Sequence, residues 1–160
     1  MAAVESVGPE FYGEGSLPFP VLETLEFSYM HKWKKWLPFA QDQVFPCLKL
    51  LSIRNCPQLE GNVPENLDSL ATLRIIECKE LVISISNYKK IGGLDIDGCK
   101  EVVKTKVKSQ TGEFTEGLRK VANLTIGGCE ELTSSLKNEA TLPSLKSWEK
   151  KQRSCCNCKY

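Results

Sequence analysis

"LATLRIIECKEL", Leu70 to Leu81, places apolar residues at Leu70, Leu73 and Ile75, a cysteine at Cys78 and a further leucine at Leu81. The same skeleton returns as "LETLEFSYMHKW" (22–33), "LKLLSIRNCPQL" (48–59), "IGGLDIDGCKEV" (91–102) and "VANLTIGGCEEL" (121–132). The five starts are separated by 26, 22, 21 and 30 residues. A self-similar unit at this period is the signature of stacked coils, each of which buries its apolar face only against its neighbours. Within the unit, the x-L-x-L portion alternates as a strand does, so Leu and Ile face one side and the residues between them the other.

The pattern is that of leucine-rich repeats, L-x-x-L-x-L-x-x-N/C followed by leucine. It predicts an α/β leucine-rich-repeat solenoid of about five repeats. The expected shape is a short horseshoe arc with a parallel sheet on the concave face and an irregular or 3₁₀ convex side. After each strand the chain must bend within one coil. The bend position holds Met30, Cys56, Cys78, Cys99 and Cys129. A free thiol is small, weakly polar and easily buried, so Cys56, Cys78, Cys99 and Cys129 are read as structural thiols in one interior column. "FPVL" (19–22), "FPCL" (45–48) and "LPSL" (142–145) set a proline two residues before a core leucine, where it fixes an extended entry. The last copy announces a sixth unit at Leu145 and Trp148, which Lys150 interrupts. This divides the chain into an N-terminal extension (1–18), repeats (19–148) and an off-pattern, Cys-rich polar tail (149–160). The stretch 104–120 reads as a loop or degraded repeat. "NVPENLDSL" and "VISISNYKK" read as irregular connections, and neither end of the stack shows a polar capping unit.

Composition excludes several classes. With 21 basic and 20 acidic residues the net charge is +1, against the basic surplus a nucleic-acid binder needs to neutralise phosphates. No apolar run approaches the ~20 residues of a membrane span. The first residues, "MAAVESVGPEFYG", lack an apolar signal core. The expected compartment is therefore the reducing cytoplasm, where the eight cysteines stay free. His31 has no nucleophile or acid partner near it in sequence, and Cys155, Cys156 and Cys158 lack the spacing and the fourth ligand of a zinc site. No catalytic constellation, metal site or cofactor is expected. "HKWKKW" (31–36) mixes rings and lysines, but Trp33 occupies a repeat core position and is read as packing.

The segment from Gly8 through Ser84 resembles the leucine-rich-repeat region of plant coiled-coil-type nucleotide-binding disease-resistance proteins. The Phe-Tyr-Gly element (11–13), the Phe-Pro-x-Leu strand entry (19–22), the Met30–Trp33–Trp36 element and strands ending in Cys-Pro or Cys-x-x-Leu carry the likeness, which extends over roughly residues 7 to 147. It implies a non-enzymatic recognition module. Its partner would be a pathogen effector, a guarded host protein or the receptor's own nucleotide-binding domain. No G-x-x-x-x-G-K-[ST] occurs, so no nucleotide cofactor is expected on this chain, which reads as a fragment or truncated product. The site follows from the strand alternation: Glu26, Ser52, Arg74, Asp95 and Thr125 form a central outward row, with Arg54 and Asp97 beside it. The competing reading is a secreted leucine-rich inhibitor or receptor ectodomain, prompted by "CPQLEGNVP" (56–64) and the sequon at Asn123.

Overall fold

Alternation of Leu and Ile with polar residues produces strands wherever the repeat skeleton occurs. In a computed structural model, residues 4–13, 17–37, 44–64, 66–84, 88, 90–99, 101–103, 120–128 and 144–151 are described. In chain order the elements are β1 (Ser6–Val7), α1 (Pro9–Tyr12), β2 (Thr24–Ser28), β3 (Lys35–Trp36), β4 (Leu50–Arg54), β5 (Gly61–Asn62), β6 (Thr72–Ile76), β7 (Leu81–Ser84), β8 (Gly93–Asp97), β9 (Glu101–Val103), β10 (Asn123–Gly127) and β11 (Ser147–Lys151). All pairings between them are parallel. The result is a parallel-sheet solenoid.

Its main wall is a six-stranded sheet in the order β11-β10-β8-β6-β4-β2. The ladders hold one register throughout, so that Leu25, Leu51, Leu73, Leu94, Leu124 and Trp148 are lateral partners. From β4 to β10 the inward pairs, Leu51/Ile53 to Leu124/Ile126, are at most 2% exposed. On β2 the equivalent Leu25 and Phe27 are only half-buried, because no strand lies beyond that edge.

The bend after each strand is made by one left-handed residue. Tyr29 (φ 58°), Asn55 (51°), Glu77 (54°), Gly98 (64°) and Gly128 (64°) occupy the same place in five successive coils. Tyr29, Asn55, Glu77 and Gly98 each donate a backbone N–H to the following coil, at Arg54, Ile76, Asp97 and Gly127 oxygens, over 2.8–3.1 Å. Side chains other than glycine are strained in this region, so the repeat tolerates Tyr, Asn and Glu there because the bond to the following coil fixes the bend. At Gly98 an added Cβ would also meet Glu77 Oε1 at 3.2 Å. Gly98→Ala is therefore expected to cost roughly 1–2 kcal/mol, read as a lower urea midpoint; an unchanged midpoint would show that the bend is not under constraint.

Two expectations are corrected and a third, on the ends of the stack, is extended. First, the irregular wall opposite the main sheet contains strands: β5, β7 and β9 form a second parallel sheet, and a Lys35–Glu60 bridge carries it toward β3. Leu81 and Ile83 of β7 are 1% and 0% exposed while Val82 and Ser84 are half-buried, the same alternation as in the main wall. Second, the helical component of the expected class shrinks to α1, a four-residue turn outside the repeats and the single α-helix among the described residues. Third, the N-terminal end is covered. β1 pairs with β3, and Tyr12 accepts a bond from Trp36 Nε1 at 2.7 Å while donating to the Leu37 carbonyl at 3.0 Å. Burial raises the Tyr12 phenol above its usual range despite the Trp36 bond. Phe11 meets Phe19 and Phe27 at 5.2 and 5.8 Å, and Phe27 meets Trp33 at 4.8 Å. An aromatic plug therefore takes the place of a polar capping unit.

At the other end, β11 carries the sheet to Lys151, three residues into the stretch assigned to the tail. The readings of Cys129, of 104–119 and of Cys155, Cys156 and Cys158 fall outside the described residues.

Candidate functional site

Strand register places the outward residues in three rows across the main sheet. The central row runs Glu26, Ser52, Arg74, Asp95, Thr125 and Glu149, each the lateral partner of the next. One flanking row runs Ser28, Arg54, Ile76, Asp97 and Gly127, and the other Thr24, Leu50, Thr72, Gly93 and Asn123. Glu26 and Glu149 are exposed, while Arg74, Asp95, Thr125, Arg54 and Asp97 are half-buried among their neighbours. Gly93 sits where an added Cβ would lie 3.2 Å from Thr72 Oγ1, so the sheet surface is pinched beside Asp95.

Ser52 departs from the expectation. It is 1% exposed, because Arg54 lies back along its own strand and donates from Nε to Ser52 Oγ at 3.1 Å. The serine acts as a fixed support for the guanidinium, and Arg54 presents the charge. Glu149 was not singled out from sequence because the pattern breaks at Lys150; the signal that finds it is the Leu145–Trp148 spacing carried one residue further.

Of the structural thiols, Cys56 and Cys78 are fully buried and Cys99 nearly so. Cys56 Sγ donates to the Arg54 carbonyl at 3.3 Å, and Cys78 Sγ lies 3.5 Å from the Ile76 carbonyl and 3.6 Å from that of Ile53 in the preceding coil. Each sulfur also receives the backbone amide of the preceding bend, Met30 for Cys56 and Cys56 for Cys78. A thiol at this position thus links one coil to the next, which explains its recurrence better than packing alone. Among the described residues no group of three or more His, Cys, Asp or Glu could hold a metal ion.

In "HKWKKW" the two parts separate. Trp33 is fully buried and donates Nε1 to the Lys35 carbonyl at 2.8 Å. Lys32, Lys34 and Lys35 are exposed, with Lys34 on Glu5 at 3.2 Å. The buried Trp33 indole offers no stacking platform for bases. His31 is exposed and lies edge-on to Tyr29, ring centroids 6.3 Å apart. Asn123 is exposed at the start of β10.

Such a surface can do one kind of chemistry well: it offers charges and hydrogen-bonding groups of both signs at fixed lateral spacing, about 4.8 Å per strand. No helix among the described residues is long and apolar enough to cross a membrane.

Comparison with known proteins gives a distant relative. The chain is 26% identical over 196 residues to a putative disease resistance RPP13-like protein 1 of Arabidopsis thaliana, an alignment that takes in 100% of this chain and 18% of that protein. The chain thus spans less than a fifth of that relative's length. No family model matches the chain, and no solved structure matches it.

Proposed function

We propose that the chain is the leucine-rich-repeat recognition region of a plant immune receptor, acting in the cytoplasm without catalysis or cofactor by holding a protein partner on the outward face of its main sheet. The partner is a pathogen effector, a guarded host protein or the receptor's own nucleotide-binding domain. The observation that carries this reading is the continuous ladder from Glu26 to Glu149, along which every central-row side chain but that of Ser52, covered by Arg54, is at least partly open to solvent. The distant likeness to a disease resistance protein supports the same reading.

The test exploits the Arg74–Asp95 register. Exchanging the two charges, Arg74→Glu with Asp95→Lys, keeps any lateral attraction between them, worth about 0.2–1 kcal/mol, yet inverts what a partner meets. Against any protein that binds the unaltered chain in calorimetry, the double variant is expected to bind at least ~10-fold more weakly, a change of about 1.4 kcal/mol, with the urea midpoint unmoved. Undiminished affinity would remove the row as the contact surface.

A further inference from the structure

The thiol column is more than inert filling. Cys56 and Cys78 occupy the same bend position in successive coils, two residues beyond the ladder partners Arg54 and Ile76. Parallel neighbours lie about 4.8 Å apart, inside the roughly 4.4–6.8 Å between Cα atoms that a disulfide spans. Cys78 Sγ reaches across the inter-coil gap to the Ile53 carbonyl at 3.6 Å, toward the coil that carries Cys56.

We propose that Cys56 and Cys78 are a built-in oxidation site, joined as an inter-coil disulfide when the protein meets hydrogen peroxide. Cys56 is the attacking sulfur. The neighbouring Cys78 thiol lowers its pKa below the usual value, against the effect of burial, and the Met30 backbone group acts in the same direction. Cys78 moves the opposite way, pushed up by the neighbouring Cys56 thiol and by burial, so it keeps its proton. The thiolate of Cys56 attacks the peroxide oxygen, the O–O bond breaks, and a sulfenic acid forms with loss of hydroxide, which takes up the proton Cys56 gave on ionising. The Cys78 sulfur then attacks the Cys56 sulfur. The S–S bond forms, the S–O bond breaks, and the Cys78 proton leaves with the departing hydroxide as water. Two thiols are oxidised, one peroxide is reduced, and two waters result. Neither sulfur is exposed, so reaction proceeds through brief opening of the stack and is slower than at exposed Cys47.

Folded protein is first treated with iodoacetamide to block accessible thiols, then with hydrogen peroxide, then unfolded, alkylated and digested with trypsin without reductant. Cleavage after Arg54, Arg74 and Lys79 puts the two cysteines on separate peptides, 55–74 and 75–79. The expected product is these two peptides joined, lighter than their sum by the two thiol hydrogens and split by reductant. In Cys78→Ser the expected product is instead a dimedone adduct on Cys56, with no joined peptide. Peroxide-treated wild-type protein in which Cys56 and Cys78 are recovered alkylated, overoxidised singly, or joined to other cysteines would overturn the proposal. This outcome is independent of partner binding, so it stands or falls separately from the recognition reading.

Discussion

Trp33→Ala is expected to cost roughly 3–5 kcal/mol, enough to consume much of the ~5–15 kcal/mol that holds a domain folded. The indole is fully buried. It lies 4.8 Å from the Phe27 ring and 5.5 Å from that of Trp36, centroid to centroid, and its Nε1 is bonded to the Lys35 carbonyl. Truncation would open a cavity between β2 and β3 and loosen the segment that carries Tyr12 onto Trp36. Because each coil of a solenoid stabilises only its neighbours, the damage should concentrate at the N-terminal end. Hydrogen exchange is expected to show amides of residues 5–12 and 24–37 losing protection before those of β6 and β8. A uniform loss would mean that the stack melts as one unit.

Leu73→Ala tests the middle of the stack. Leu73 is fully buried, with Leu51 and Leu94 as its lateral partners. The expected cost is about 2–5 kcal/mol, with little room for collapse, since the strands on both sides are held by ladders. Here loss of the central coil uncouples the two halves, so the urea transition should shift to a lower midpoint and also lose steepness. An unaltered transition would count against the stacked-coil arrangement itself.

Much of the fold could be read from the chain before any coordinates. The triplets and outward rows were legible because strand alternation makes inside and outside a matter of counting, and every ladder from β2 to β11 keeps that count. What escaped reading has physical causes. The left-handed column was hidden because Tyr29 and Glu77 are not residues that prefer a positive φ; only Gly98, Gly128 and, weakly, Asn55 advertise it. The second sheet was missed because strands of two to four residues, such as β5 and β7, carry too short an alternation to stand out from a loop. The covered N-terminus depends on Tyr12 meeting Trp36, a contact across 24 positions with no local trace. Ser52 was assigned to the contact surface by counting alone, and counting cannot see Arg54 folding over it.

The unequal lengths of the coils have an evolutionary consequence. Strand starts differ by 21 to 30 residues, yet the ladder never slips, because register is set within the strand and its bend and not by the path between coils. Closing a path of 30 residues in place of 21 costs only about 0.3 kcal/mol on loop-closure scaling. Insertions in the return path outside β5, β7 and β9 are therefore nearly free, whereas a single inserted residue within a strand would turn a leucine outward. Such a chain can diversify by lengthening its connections, and it is there that an engineer should graft foreign segments.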